Sequence, residues 1–226
     1  MLELSIIHED NNILVVDKKE GVVMHPFDFS SEETLLDSVI KYAPEILSID
    51  NPKKLQDGRT INLGGIVHKL DRDTSGVVVF AKNNNTFMEL SSQFKNHTTK
   101  KIYVAEVNGV IEKDMFTVNA PLAREKKSYR QSVAPINFRG ELKQAITHVN
   151  VLRRFKDKTI VELVPETGRT HQLRAHMAHV GHPIAGDKLY GTSTTERLML
   201  HAKTISFILG NKTFTYTSKT PIAFGV

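Results

Sequence analysis

The stretch that most constrains this chain runs from His68 to Lys82 and reads His-Lys-Leu-Asp-Arg-Asp-Thr-Ser-Gly-Val-Val-Val-Phe-Ala-Lys. Val77, Val78, Val79 and Phe80 follow one another in a run too short for a globular helix and rich in β-branched and aromatic residues, so residues 76–82 read as a strand. A second β-rich run covers residues 65–70, and Asp71, Arg72, Asp73, Thr74 and Ser75 make the polar turn between them. Read plainly, this is a hairpin whose turn uses Asp, Thr and Ser because short polar side chains hydrogen-bond the local backbone. The same arrangement puts a carboxylate, Asp71, where a strand gives way to a loop, so that it is held firmly yet stays reachable.

A chain of 226 residues is long enough to bury a sizeable core and is expected to form one domain, residues 1–226, with room for two lobes. It has no cysteine, which excludes disulfides, thiolate metal sites and a thiol nucleophile, so any chemistry must use oxygen or nitrogen. A formal charge of +5 with only 24% charged residues indicates an acidic partner rather than a basic tail, and RNA fits better than free nucleotides. No apolar run approaches the roughly eighteen residues that span a bilayer, and the first ten residues carry acidic groups where a signal peptide is basic. A cytoplasmic, monomeric protein without membrane partners is expected.

Residues 2–7 and 12–17 flank Glu9-Asp10-Asn11 as a hairpin or two edge strands. Ser30 with Glu33 reads as a capping box, followed by Leu35, Leu36, Val39 and Ile40 at helical spacing up to Pro44. Residues 44–60 are polar, hold two prolines and read as a surface connection. A helix follows from Asn85 to Lys95, capped by Asn83 or Asn84, with Phe87, Leu90 and Phe94 on one face. Residues 100–109, 116–122, 128–133, 143–155 and 158–164 are strand-like, and residues 170–180 read as a helix stopped by Gly181 and Pro183. Gly210-Asn211 marks a hairpin within residues 200–218. Arg124, Lys126, Lys127 and Arg130 are either a solvated loop or a phosphate-contacting strip. His171, His176, His179 and His182 crowd one stretch, but no acidic third ligand stands at a metalloprotease-like spacing, so no metal is expected.

Taken in order, several words of the chain resemble the RluA family of RNA pseudouridine synthases. They are residues 17–26, where Lys19 replaces the usual Pro; residues 68–82; the Lys101-x-Tyr103-x-Ala105-x-Val107-x-Gly109 pattern; residues 167–191; and Leu200-His201-Ala202. The resemblance covers about residues 15–207. It implies an α+β fold with a mixed, mainly antiparallel bent sheet, flanking helices and an active-site cleft across the sheet's middle. It makes Asp71 the nucleophile, Tyr103 the active-site tyrosine against the uracil ring, and Arg174 the cation that keeps a pocket carboxylate ionised, while Asp73 braces the turn.

His68, Lys69, Arg72, Lys126, Arg130, Arg169 and His171 are the expected RNA contacts. Lys69 stands where the family carries an Arg that fills the space of the extruded base, and lysine keeps the charge but loses the planar surface. The implied activity is isomerisation of specific uridines in structured RNA, large-subunit rRNA or tRNA, without a cofactor. The accessory N-terminal RNA-binding domain common in the family is expected to be absent. Two readings from other classes stand beside it: a non-catalytic RNA-binding or ribosome-assembly protein on the same fold, and a carboxylate-pair hydrolase using Asp71 and Asp73, which adjacency in one turn makes awkward.

Overall fold

The computed structural model describes residues 3–27, 32–126, 128, 130–133, 135, 137–191 and 195–224. The chain divides into two compact units, residues 1–99 with 204–219 and residues 100–203 with 220–226.

In the first unit, β1 (Ser5–Glu9) and β2 (Ile13–Lys18) form an antiparallel hairpin. The Asp10 carboxylate closes its turn by accepting from the Asn12 and Ile13 amides at 2.7 and 2.8 Å. Helix α1 (Leu35–Tyr42) begins later than Ser30 and Glu33 predict. The observed capping box is Thr34 with Asp37, and Ser30 lies outside the described residues. Its start is fixed because the Leu35 and Leu36 amides, orphaned at a helix N-terminus, donate to the Val23 and Met24 carbonyls.

Residues 44–60, expected as a polar connection, are folded instead. A 3-10 helix (Pro44–Ser48) leads to the short antiparallel pair β3 (Pro52–Lys54) and β4 (Thr60–Asn62). Ile46, Ile49 and Leu55, spaced with neither helical nor strand period, are buried and anchor it. Strand β5 (Ser75–Ala81) is buried at all seven residues and pairs antiparallel with β2, giving the order β1-β2-β5. The hairpin partner expected at residues 65–70 is not a strand. Only Ile66 bridges, to Phe80, and the Gly65 carbonyl takes the Ala81 amide at 2.9 Å. The backbones approach so closely there that a Cβ on Gly65 would collide with the Ala81 carbonyl. Helix α2 (Asn84–Lys95) follows, capped by the Asn83 side chain on the Thr86 amide, with Leu90 fully buried.

The second unit opens with β6 (Lys100–Asn108), β7 (Met115–Asn119), β8 (Leu122–Glu125), β9 (Gln131–Val133), β10 (Phe138–Lys143), β11 (Ile146–Arg154) and β12 (Lys158–Pro165). They form two antiparallel sheets, β6-β12-β11-β7 and β10-β8-β9. The single strand expected over residues 116–122 is split by Pro121, which cannot donate to a ladder. Likewise residues 143–155 divide into the end of β10 and β11.

Helix α3 (Gln172–His179) starts after His171, whose φ of 53° holds it in the left-handed region, so the helix is shorter than residues 170–180. The Gln172 side chain ties the start of the helix to the preceding turn and to β11. Its Oε1 accepts from the Arg169 amide and the Thr167 hydroxyl, and its Nε2 donates to the Ile146 carbonyl and Thr147 Oγ1. Val104, Val107, Val149, Ile160, Leu163, Leu173 and Met177 form the core of this unit. Strand β13 (Leu200–Leu209) passes from the second unit into the first at Thr204 and turns through Gly210 into β14 (Lys212–Thr217). Among the described residues, three α-helices flank antiparallel ladders, an α+β fold, and no helix is long and apolar enough to cross a membrane.

Candidate active site

In the first unit, Asp71 occupies a turn closed by the Thr74 amide on the Asp71 carbonyl at 3.1 Å. Leu70 before it and Thr74 and Ser75 after it are buried, so a short reachable stretch is hung between anchors. The deepest anchor is Lys18, at the end of β2 and only 1% exposed. Its Nζ donates to the carbonyls of Arg72 at 2.8 Å, Val22 at 2.7 Å and Lys19 at 3.0 Å. Three donors therefore meet three acceptors, and one of these belongs to the residue next to Asp71. Lys18 thereby fastens the turn after β2, where Lys19 stands in place of the family's usual Pro, through the Lys19 and Val22 carbonyls.

His68 Nε2 accepts from the Val79 amide at 3.0 Å, and its ring stacks on Phe94 of α2 at 4.6 Å, so both contacts are internal. Lys69 is exposed and lies near His25, which Lys53 contacts at 3.2 Å. Burial first, then the cations Lys53 and Lys69, hold the His25 pKa below its usual value. Arg72 is exposed, donates to the Gly21 carbonyl and pairs with Glu32 at 3.0 Å.

In the second unit, Tyr103 lies on β6 opposite Leu163, half-buried against the apolar core. Arg174 on α3 grips Asp187 with two hydrogen bonds, Nε to Oδ2 at 2.7 Å and Nη2 to Oδ1 at 2.9 Å. The Asp187 side chain is fully buried and that of Arg174 is 11% exposed. Burial would raise the Asp187 pKa, but Arg174 and the Leu189 and Tyr190 amides outweigh it and hold the carboxyl below its ordinary value. Arg174 is therefore a charge partner rather than a solvent-facing helix arginine. Its carboxylate partner, Asp187, lies within residues 167–191 but carries no sequence signal that separates it from its neighbours.

Tyr190 carries no distinguishing sequence signal either. Its ring carries Arg130 at 5.1 Å and Arg174 at 5.2 Å, and its hydroxyl accepts the Gln131 amide at 2.7 Å. Burial pushes its pKa up to about 12, so it stays a neutral phenol at working pH. His171 Nδ1 reaches the same hydroxyl at 3.2 Å. Arg169 donates from Nε to the Gln144 carbonyl. Lys126 is exposed on the turn after β8, while Lys127 lies outside the described residues.

Of the remaining clustered histidines, His179 is exposed, and His176 and His182 bond to protein atoms. His176 is buried between Thr147 Oγ1 at 3.0 Å and the Ala120 carbonyl at 2.9 Å, and His182 Nδ1 meets the Asn108 carbonyl. No group of three or more His, Asp or Glu among the described residues is arranged to hold a metal ion.

Residues 12–179 match the family model described as RNA pseudouridylate synthase. This chain belongs to that family. An uncharacterised RNA pseudouridine synthase of Bacillus subtilis, YlyB, is 38% identical over 209 residues, covering 91% of this chain and 65% of its own. Ribosomal large subunit pseudouridine synthase D of Pseudomonas aeruginosa is 38% identical over 190 residues, covering 84% of this chain and 54% of its own. The chain thus spans between half and two thirds of the length of these curated relatives. Among solved structures, human RNA pseudouridylate synthase domain containing 1 is similar with a TM-score of 0.78 at 25% identity, covering 97% of this chain and 84% of its own. The pseudouridylate synthase fold expected from the sequence is therefore the observed one.

Proposed function

We propose that this chain is an RNA pseudouridine synthase, an isomerase of uridines in structured RNA, with large-subunit rRNA as the leading substrate and tRNA as the second. The reaction breaks the bond from the ribose C1′ to the uracil N1, turns the base, and joins C1′ to C5, with a proton lost from C5 and one gained at N1. Atoms balance without oxidant, reductant or energy source, so no cofactor is needed. Asp71 is the nucleophile, adding to the base or acting at the sugar. The observation that carries this reading is the anchored turn: Lys18 fixes the Arg72 carbonyl from below while Leu70, Thr74 and Ser75 are buried around it. A carboxylate so mounted is reachable without being loose. The roles the resemblance gives Tyr103 and Arg174 belong to the same proposal, as does action of a single copy of the chain in the cytoplasm.

The test is tritium release from RNA labelled at uridine C5, with RNA affinity measured on the same preparations. The native chain should release tritium without added cofactor. Asp71→Asn should release none while binding RNA within about twofold of the native affinity, because phosphate contacts are spread over many cations. Tritium release by the Asn variant would end the assignment of Asp71.

A further inference from the structure

A groove of about 370 Å³ opens in the second unit between the β10-β8-β9 sheet and residues 168–170. That volume is within the range of small-ligand sites, about 300–1,000 Å³. Its lining includes four cationic side chains, Arg124, Arg139, Lys143 and Arg169, against one carboxylate, Glu141. Asp71, Tyr103 and Arg174 do not line it. Of its cations Arg169 was expected to meet RNA and Arg124 belonged to the possible phosphate-contacting strip, whereas Arg139 and Lys143 carried no sequence signal.

Two features are hard to explain by stability. Arg139 on β10 stands directly opposite Arg124 on β8, and like charges directly opposite on paired strands are destabilising. Neither Arg139 nor Lys143 makes a side-chain hydrogen bond or ion pair to another described residue, and β10 is exposed along its whole length. The register between β10 and β8 shifts between Arg139 and Lys143, where Gly140 takes a φ of 81°. Such a shift re-aims side chains at the cost of ladder bonds. The guanidinium of Arg124 is steadied by the Ser128 carbonyl at 3.2 Å and that of Arg169 by the Gln144 carbonyl at 3.1 Å. Positions 140 and 168 are glycines around which a Cβ would meet nothing within 4 Å, so the groove is open there.

We propose that this groove binds the sugar-phosphate backbone of the substrate RNA. An anion between Arg124 and Arg139 turns their repulsion into shared attraction, and fork-shaped guanidinium groups suit phosphate oxygens. Among the described residues the lining is cationic, polar and aliphatic, so its contacts are with phosphate and sugar and position the strand. The inference rests on the reading of this chain as an RNA-acting enzyme and adds where the strand is held.

The test uses the full chain, a structured large-subunit rRNA fragment as probe, and the double variant Arg139→Gln with Lys143→Gln. Dissociation constants are measured between 50 and 300 mM salt, and single-turnover rates at saturating RNA. Each phosphate contact contributes about 0.7–0.9 to the slope of log affinity against log salt, so losing two weakens binding on the order of 30-fold at 0.1 M. The slope should flatten by between one and two units while the saturated rate holds within about twofold. Thermal midpoints should not fall, because removing Arg139 relieves Arg124, and each single variant should show about half the effect. Affinity and slope unchanged in a folded double variant overturn the groove. Weakened binding with no turnover by the native chain upholds the groove and sinks the synthase reading, so the two failures are distinguishable.

Discussion

Lys18 shows how much of the site depends on a residue without a chemical role. An ammonium removed from water is costly unless its donors are satisfied, and here three carbonyls satisfy them. Lys18→Met keeps most of the volume but leaves the Lys19, Val22 and Arg72 carbonyls without this donor. It should destabilise the fold by about 2–4 kcal/mol and lower the single-turnover rate more than the RNA affinity. Denaturant unfolding, followed by rate and affinity at a temperature where the variant is folded, checks both. A variant of native stability and rate would show that the turn needs no such brace. The residue was in plain view within the Asp17-Lys18-Lys19 word, yet sequence alone cannot say that a lysine between two polar neighbours is buried. Asp187 and Tyr190 escaped for the same reason. Their letters were read, but bidentate pairing and ring stacking are facts of three dimensions.

At the scale of the element, α3 is fastened to the sheets by buried polar side chains as well as by apolar packing. His176 Nε2 faces a carbonyl and carries the proton, while Nδ1 accepts from the Thr147 hydroxyl, so the neutral ring is the one that fits. Burial holds its pKa below the usual 6.5. The unfolded chain therefore takes up a proton that the folded chain refuses, and stability present above pH 6.5 is lost as the pH falls below it. Melting temperature should drop between pH 7.5 and 5. His176→Gln, less stable at pH 7.5 by about 1–3 kcal/mol, should show a shallower drop. His25, also lowered, adds to this slope, the lowered carboxylates Glu9 and Glu45 begin to add near pH 5, and Asp10 and Asp187 act mainly below about 3.8. Equal slopes in both proteins would remove His176 from the account. Periodicity revealed α1, α2, β6, β12 and the β13–β14 hairpin, because long amphipathic or β-branched runs announce themselves. It missed β3 and β4, three residues each, and mistook residues 65–70 for a ladder strand, since close approach at a glycine satisfies backbone groups without repeating pairs.

For the whole molecule, the legible part was the family and its α+β class, carried by words spread along residues 15–207. Which segments make up each of the two compact units, and the basic groove, were not legible, because they depend on which distant segments meet. Arg124 and Arg139 are 15 residues apart in the chain yet directly opposite across two strands. The central claim is that this chain makes pseudouridine and that Asp71 does it. It is tested most directly by mapping pseudouridines in total RNA from cells of the source organism that lack the gene and are supplied with either the native chain or Asp71→Asn at equal level. The account predicts one or a few uridines, first in large-subunit rRNA, that are pseudouridine with the native chain and remain uridine with the Asn variant. No difference between gene-deleted cells and those supplied with the native chain, or modification restored by the Asn variant, would contradict it.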